Sequence, residues 1–378
     1  MKPIAIYTLT SELHDAQAVA ATSNEFLDSL QINYELRGTD YADYGTHTLD
    51  LIYVRTGGTE GIFLRLLPQL LAQSQRPFYL LTSGKSNSLA ASMEILSYLH
   101  QQGYKGEIIH GNGEYIHNRI CILSKSAKAR QRLQGIRLGV IGQPSDWLIA
   151  SHADKDALHR RLGIELVDIP IEELLTSPHL PDLRCALRSI VQQHRLQGFT
   201  LRCFDLLTAL HDTGCMALAQ LNAEGIVAGC EGDVPALISM SIVNALLDIS
   251  GFQANPSNID IEQGTITFAH CTIPLNMVER YELDTHFESG IGVAVRGFMK
   301  TGPVTVFKVS GDLQRCFIAE GELLCNESKP DLCRTQQVIR LANPADANYF
   351  LTRPIGNHHI IMPGCQKTLL EEITQLKD

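Results

Sequence analysis

The chain has 378 residues, of which 44% are hydrophobic and 19% are charged, and its formal net charge is -10. A chain of this length exceeds one ordinary hydrophobic core, which predicts two or three domains. The acidic balance, without a basic stripe, excludes nucleic acid and an anionic membrane as expected partners.

The N-terminus and the cysteines indicate the cellular compartment. Residues 1–7 lead directly into an apolar strand without a signal-peptide pattern, and no apolar run long enough to span a bilayer follows. The ten cysteines show no CxxC spacing, which argues against a zinc knuckle and against a secreted disulfide framework. We therefore expect a cytoplasmic protein with mostly buried thiols.

In the first third of the chain, apolar runs alternate with amphipathic stretches, which is the βαβ rhythm of a parallel sheet. The predicted strands are 4–9, 51–55, 78–82 and 108–110, and the predicted helices are 15–30, 61–73 and 87–101. A second segment of this kind begins at Gly135, with predicted strands at 135–142, 163–169, 201–204 and 226–228. Its clearest helix follows Gly232 and has Pro235 in its first turn.

Beyond about residue 252 the segments become short, β-rich and separated by Gly, Pro and Asn turns, which indicates an antiparallel sheet or barrel. The predicted fold class is α/β. Two Rossmann/flavodoxin-like α/β domains, over 1–130 and 131–252, are followed by a β-rich, barrel-like C-terminal domain over 253–378.

Four short segments concentrate the residue types that bind divalent metals, and glycine or proline lies beside each one. Carboxylate oxygens and neutral imidazole nitrogens gathered from distant parts of a chain are typical metal ligands. We therefore interpret the chain as an enzyme. The segments are 228–233, 270–272, 286–290 and 356–359.

Glu231 and Asp233 lie between a predicted strand and a predicted helix. Asp233 suits either chemistry or the N-cap of the helix. Glu231 is the better chemical candidate, since open α/β sheets bind ligands at the carboxyl ends of their strands. His270, at the end of a strand, fits a core position or a substrate contact. His358 and His359 must point to opposite faces of a strand, so only one can face a given site.

Other candidates lie in loops next to glycines. His286 and Glu288 precede a strand, either as a plain loop or as a loop that approaches a small ligand closely. Gly58 and Thr59 follow one strand, and Lys85 follows the next. Both turns resemble polyol- or anion-binding sites at helix N-termini, although ordinary turn chemistry also accounts for them. Neither fits a nucleotide-binding motif.

The order of these motifs resembles the L-fucose/L-arabinose isomerase superfamily, and in particular its short fucose-isomerase-like proteins. The similarity rests on Cys-Glu-Gly-Asp at 230–233, His270-Cys271 and Asn357-His358-His359, and is strongest over 225–365. It implies a divalent metal, usually manganese, that promotes aldose–ketose isomerisation through an ene-diol. It also implies a homo-oligomer, a trimer or hexamer, in which Gly58 and Thr59 serve a neighbouring subunit.

Carried onto this chain, the resemblance implies Glu231 as metal ligand and base, with Asn255 where the family carries aspartate and His358 or His359 as the late ligand. An amide can bind a metal but cannot carry a proton, so Asp233, Glu288 or His286 is the candidate for the second proton carrier. The predicted substrate-binding residues are His270, His286, Gly58, Thr59, Lys85 and Arg334.

Two alternatives to the isomerase stay open at this point. The chain could be a non-catalytic sugar-binding protein on the same scaffold, which the amide of Asn255 favours. It could also be an epimerase or aldolase for an anionic sugar, which Lys85 and the arginine-containing strands favour. The expected small-molecule partner is a sugar in each case.

Overall fold

The computed structural model describes residues 4–374. The chain forms two compact units, which divide between Lys128 and Ala129. The three-domain division over 1–130, 131–252 and 253–378 stays a prediction.

The first unit contains a five-stranded parallel sheet of strand order β2-β1-β3-β4-β5. Apolar side chains are buried on both of its faces, as a parallel sheet covered by helices requires. The strands are β1 (Ile4–Leu9), β2 (Tyr34–Gly38), β3 (Leu49–Val54), β4 (Phe78–Leu81) and β5 (Gly106–Ile109), and the helices are α1 (Ala16–Ser29), α2 (Glu60–Gln73), α3 (Ser88–Gln101) and α4 (Gly113–Leu133), which runs past the boundary.

The second unit begins with a four-stranded parallel sheet of order β7-β6-β8-β9. Its strands are β6 (Arg137–Ile141), β7 (Glu165–Ile169), β8 (Gly198–Leu201) and β9 (Val227–Cys230). The helices of this part are α5 (Lys155–Leu162), α6 (Ile171–Leu175), α7 (Leu183–Gln193), α8 (Asp205–Ala209), α9 (Cys215–Ala223) and α10 (Val234–Leu247).

The rest of the second unit is a closed antiparallel barrel of order β10-β11-β16-β15-β14-β17 and a separate β12-β13 hairpin. The strands are β10 (Phe252–Asp260), β11 (Thr265–His270), β12 (Arg280–Asp284), β13 (Ala294–Phe298), β14 (Gly302–Val309), β15 (Cys316–Glu327), β16 (Thr335–Leu341) and β17 (His359–Pro363), and the helices are α11 (Asn348–Thr352) and α12 (Lys367–Thr374). The predicted combination of parallel α/β sheets and a C-terminal barrel is confirmed.

Helix α10 is apolar on nearly all sides and packs against barrel strands as well as strands of the four-stranded sheet. Leu237 and Val243 share one core with Phe307 of β14 and Ile360 of β17, and the Ser239 hydroxyl accepts a hydrogen bond from the Val309 amide at 3.1 Å. A helix that is hydrophobic all round must be buried on all sides. The start of α10 is therefore held beside the barrel.

None of the helices within residues 4–374 combines the length and the hydrophobicity that crossing a lipid bilayer requires.

Candidate metal and sugar site

Three buried side chains from separate segments of the second unit meet at one place. Glu231 follows β9, His270 is the last residue of β11, and His358 immediately precedes β17. One ligand atom from each lies within 4.8 Å of the others. Within residues 4–374, this cluster of Glu231, His270 and His358 is the only group of three or more His, Cys, Asp or Glu side chains close enough to hold one metal ion. The sequence predicted all three as site residues.

A tight turn projects Glu231 into this site. Glu231 has φ +64° and Gly232 has φ +72°, a left-handed conformation that is costly for a glutamate and is typical of functional sites. A Cβ at position 232 would lie 2.5 Å from the Gln143 carbonyl oxygen. Just before Glu231, the backbone of Cys230 is bonded by the side chain of Gln253 from β10. The Gln253 amide oxygen accepts from the Cys230 N–H and its amide nitrogen donates to the Cys230 carbonyl, which joins the end of β9 to β10.

The Glu231 carboxylate has three neighbours. Its Oε1 lies 3.4 Å from Nε2 of His270 and 3.5 Å from Nε2 of His358. Its Oε2 accepts a hydrogen bond from the indole Nε1 of Trp147 at 2.8 Å. Burial alone would raise the pKa of Glu231, but the interactions of its carboxylate with His358 and His270 outweigh burial and hold the pKa well below its usual range.

His358 is held by Asp233 on the side opposite to Glu231. The two are joined by a bond of 2.9 Å from Nδ1 of His358 to Oδ2 of Asp233. Burial would lower the pKa of His358, but the charge of Glu231, together with the bond to Asp233 and its charge, raises the pKa to about 9. The buried Nε2 of His358 has no hydrogen-bond partner. A cation bound between this nitrogen and Glu231 would satisfy it.

Asp233 is fully buried and contacts the side of His358 that points away from Glu231. It caps α10 by accepting from the Ala236 amide at 2.8 Å, and Nζ of Lys308 lies 3.4 Å from both of its carboxylate oxygens. Burial would raise the pKa of Asp233, but Lys308 and His358 together lower it. The structure therefore makes Asp233 both the predicted N-cap and a partner of His358. Its predicted catalytic role stays a prediction.

His270 is oriented by the residue that lies two positions further along the chain. Its Nδ1 lies 3.1 Å from the Thr272 hydroxyl, and its ring packs edge-on against that of His358, with ring centroids 5.2 Å apart. The Nε2 of His270 therefore faces Glu231, although the sequence predicted this residue as a contact to the sugar.

The donor set fits a divalent metal. At metal–ligand distances of about 2.1 Å, neighbouring ligands lie about 3.0–3.4 Å apart, close to the 3.4 and 3.5 Å that separate Oε1 of Glu231 from the two imidazole nitrogens. One carboxylate with two imidazoles suits manganese, iron, cobalt or zinc. A cation bound here would be coordinated by Nε2 of His358, the atom without a hydrogen-bond partner.

His359 does not join this group, in contrast to the prediction that included it among the ligands. Its Nε2 lies 3.0 Å from the Tyr349 hydroxyl and its Nδ1 lies 2.9 Å from the Asn357 carbonyl. Its ring packs against Phe268 and Phe350. Burial and the charge of Lys308 lower the pKa of His359 to about 3. Adjacent residues point to opposite sides of a strand, so of these two neighbouring histidines only His358 reaches Glu231.

Within residues 4–374, no hydrogen bond or ion pair joins two further predicted residues, Asn255 and Glu288, to Glu231, His270 or His358. Asn255 lies in β10 and pairs across the ladder with Ala269, the residue before His270. Glu288 is exposed in the loop before β13. Asn255 as a ligand and Glu288 as a proton carrier stay predictions.

His286 and Arg334 are held in place by nearby loop residues. The Nδ1 of His286 lies 3.0 Å from the Ser289 hydroxyl. Its ring packs edge-on against Phe204, which packs in the same way against Trp147. The Arg334 guanidinium donates to the Thr285 carbonyl at 2.7 Å. His286 is thus linked through the ring of Phe204 to Trp147, the hydrogen-bond partner of Glu231.

The remaining predicted residues, Gly58, Thr59 and Lys85, lie in the first unit. Gly58 has φ +72°, and the buried Thr59 hydroxyl donates to the Thr56 carbonyl at 3.1 Å. Lys85 is exposed in a short 3-10 turn before α3. Their contact with a substrate stays a prediction.

The prediction missed two residues that the structure places at the site, Trp147 and Lys308. Each had a signal in the sequence. Trp147 is the one tryptophan of the chain and follows a predicted strand. Lys308 interrupts an otherwise apolar run in β14, and a lysine buried in a strand needs a charged partner.

The chain was compared with known proteins. No protein-family model matches it. It is similar to sulfoquinovose isomerases from Priestia aryabhattai and Priestia megaterium, at 23% identity over 70% of this chain and 68% of the relative. A sulfoquinovose isomerase from Alkalicoccus urumqiensis is 21% identical over 63% of each chain.

The chain is an enzyme. Its relatives share an isomerase name, which confirms the interpretation of the chain as an enzyme. The relatives support an isomerase of sugars and do not favour the non-catalytic binding protein, the epimerase or the aldolase. Membership of the L-fucose/L-arabinose isomerase superfamily stays a prediction.

Proposed function

We propose that the chain is a metal-dependent aldose–ketose isomerase. The observation that carries this proposal is the convergence of Glu231, His270 and His358, with the buried Nε2 of His358 left without a partner. The isomerase name of the relatives supports it. The proposed ligands are these three residues, with Asn255 as a further candidate.

A divalent cation, for which we propose Mn²⁺, would polarise the sugar carbonyl and the neighbouring hydroxyl. Glu231 is the proposed base, which removes the proton from one of the carbons C1 and C2 and returns it to the other. Trp147 holds Oε2 of Glu231, so the carboxylate keeps a defined direction during the transfer. The isomerisation also moves a hydroxyl proton between the two sugar oxygens, and the proposed second proton carrier is Asp233, Glu288 or His286. Of these, Asp233 is fully buried and bonded to His358.

The proposed substrate is a small sugar, and the first to test is sulfoquinovose, the sugar in the name of the relatives. This sugar carries a negatively charged sulfonate, for which arginine and lysine are the usual partners. Arg334 and Lys85 are therefore kept as proposed substrate-binding residues, together with His286, Gly58 and Thr59. We also propose a cytoplasmic homo-oligomer, as the family resemblance implies.

The test combines metal content with turnover. Wild-type protein purified without chelator is analysed for Mn, Fe, Co and Zn, then loaded with Mn²⁺ and supplied with sulfoquinovose, L-fucose and L-arabinose. We expect near-stoichiometric metal and conversion of at least one aldose to its ketose. Glu231→Gln should lose metal and at least about 1,000-fold in kcat, since it removes the base and a ligand.

Glu322→Gln is the matched control, because Glu322 is exposed on β15 and far along the chain from the three ligands. It should keep metal and activity. Wild-type protein that binds none of these metals after dialysis would contradict the proposed metal site. Wild-type protein that binds Mn²⁺ but converts none of the sugars would contradict the proposed substrate.

A further inference from the structure

Lys308 is a buried cation that the chemistry proposed above leaves without a role. It is 1% exposed, and its Nζ lies 3.4 Å from both carboxylate oxygens of Asp233. The end of its strand is anchored to α10 by the bond from the Val309 amide to Ser239. Because Asp233 begins that helix, this anchor places Lys308 next to the aspartate.

Stability alone does not account for a lysine at this position. Removing an ammonium and a carboxylate from water costs more than a simple ion pair returns, and apolar side chains of similar volume are often equally stable. The Asp233 side chain would cap α10 through the Ala236 amide without Lys308. The distinctive feature of this pair is that its other end contacts His358.

Asp233 decides which nitrogen of His358 is available. Its Oδ2 accepts from Nδ1 of His358 at 2.9 Å, so the proton lies on Nδ1 and the lone pair of the neutral ring lies on Nε2. That nitrogen faces Oε1 of Glu231 at 3.5 Å. Metal-binding histidines are commonly oriented by a carboxylate on the nitrogen that does not bind the metal.

We propose that Lys308 is a positioning residue for the metal site. It compensates the charge of the Asp233 carboxylate and holds it between α10 and His358, so that Nε2 of His358 is presented towards Glu231. The order of contact is Lys308, Asp233, His358 and then the cation. This inference rests on the proposed metal site, but it concerns residues outside the ligand set.

The experiment measures the Mn²⁺ dissociation constant of the metal-free full-length protein by titration calorimetry. Lys308→Met keeps the length of the side chain and removes its charge. We expect its dissociation constant to rise about 10- to 100-fold, the range found for partners of metal-binding histidines. The matched control is Thr305→Val on the same strand, since Thr305 is equally buried but bonds Gly364 and Gln366. Its dissociation constant should stay at the wild-type value.

A double variant separates an effect through Asp233 from a general disturbance of the barrel. Asp233→Asn should weaken Mn²⁺ binding by itself, and adding Lys308→Met to it should change the dissociation constant less than about 2-fold, because the group through which Lys308 acts is already altered. If Lys308→Met weakens binding equally with and without Asp233→Asn, the lysine does not act through the aspartate and the proposal is wrong.

A second substitution covers the case in which Lys308→Met does not fold. Lys308→Gln still donates to Asp233 without a charge, and we expect its dissociation constant to rise about 3- to 10-fold. A folded Lys308→Met or Lys308→Gln protein with wild-type affinity would overturn the role of Lys308 while leaving the metal site intact. Wild-type protein without Mn²⁺ affinity would instead overturn the proposed function.

Discussion

Trp147 shows how one side chain outside the ligand set defines the geometry of Glu231. Its indole donates to Oε2 at 2.8 Å, while about half of its surface is exposed and its ring contacts Phe204. With Oε2 held in this way, Oε1 is the oxygen that faces the two histidines. The indole therefore sets which oxygen of the Glu231 carboxylate faces the histidines.

We expect Trp147→Phe to lower kcat/KM about 10- to 100-fold, because it removes a hydrogen bond to a charged group. The phenylalanine keeps an aromatic ring beside Phe204, so the free energy of unfolding should change little. Steady-state kinetics and chemical denaturation measure the two effects.

Ile149→Ala is the control for Trp147→Phe, since Ile149 lies in the same loop and is 82% exposed. It should keep wild-type kinetics. Equal kcat/KM in Trp147→Phe and the wild type would show that the indole bond does not orient Glu231, the proposed base.

The turn between β9 and α10 is the element that places Glu231. Two successive residues with positive φ reverse the chain, and the Ser145 amide donates to the Glu231 carbonyl at 2.9 Å. Gly232 has no space for a side chain, because an added Cβ would meet Gln143 and Pro144 backbone atoms at 2.5 and 2.7 Å. The glycine is needed both for its φ and for this close approach.

Gly232→Ala should lower the free energy of unfolding by about 3 kcal/mol or more, since it combines a left-handed alanine with a backbone clash. It should also displace Glu231 and weaken metal binding. Gly225→Ala is the matched control, because Gly225 also has positive φ but open space around an added Cβ. It should cost about 1 kcal/mol and leave metal binding unchanged. Similar losses for both alanines would contradict the close approach.

In the whole molecule, the three proposed ligands are distant in sequence and come together only when the four-stranded sheet and the barrel of the second unit have folded. Glu231 follows the sheet, whereas His270 and His358 belong to the barrel. A cation that binds all three therefore binds the folded state and not the unfolded chain. Binding of this kind raises stability by mass action.

We expect Mn²⁺ at 100 times its dissociation constant to stabilise the protein by about 2.7 kcal/mol and to raise the Tm of the second unit by roughly 5–10 °C. The two neighbouring histidines provide the control. His358→Leu should abolish this shift, whereas His359→Leu should keep it even if the Tm without metal falls. Differential scanning calorimetry with and without Mn²⁺ measures both, and a shift that survives in His358→Leu but not in His359→Leu would contradict the assignment.

The parts of the fold that have a strong sequence period could be predicted. The alternation of apolar and amphipathic runs indicated the parallel sheets, and the short β-rich segments indicated the barrel. Strand β2 (Tyr34–Gly38) was missed, because none of its residues is fully buried and its apolar pattern is weak. Closure of the six barrel strands depends on pairings between distant residues, such as Phe252 with Ile361, which have no local signal.

The residue types of the candidate site and their order could be recognised without a structure, since Glu231, His270 and His358 lie in segments rich in side chains that can bind metals. The choice between His358 and His359 required the fold, because the direction of adjacent strand residues depends on the register of β17 in the barrel. The partners Trp147 and Lys308 required it too. Trp147 contacts Glu231 across 84 residues of chain, and Lys308 contacts Asp233 across 75. Patterns in the local sequence do not predict contacts between residues so far apart.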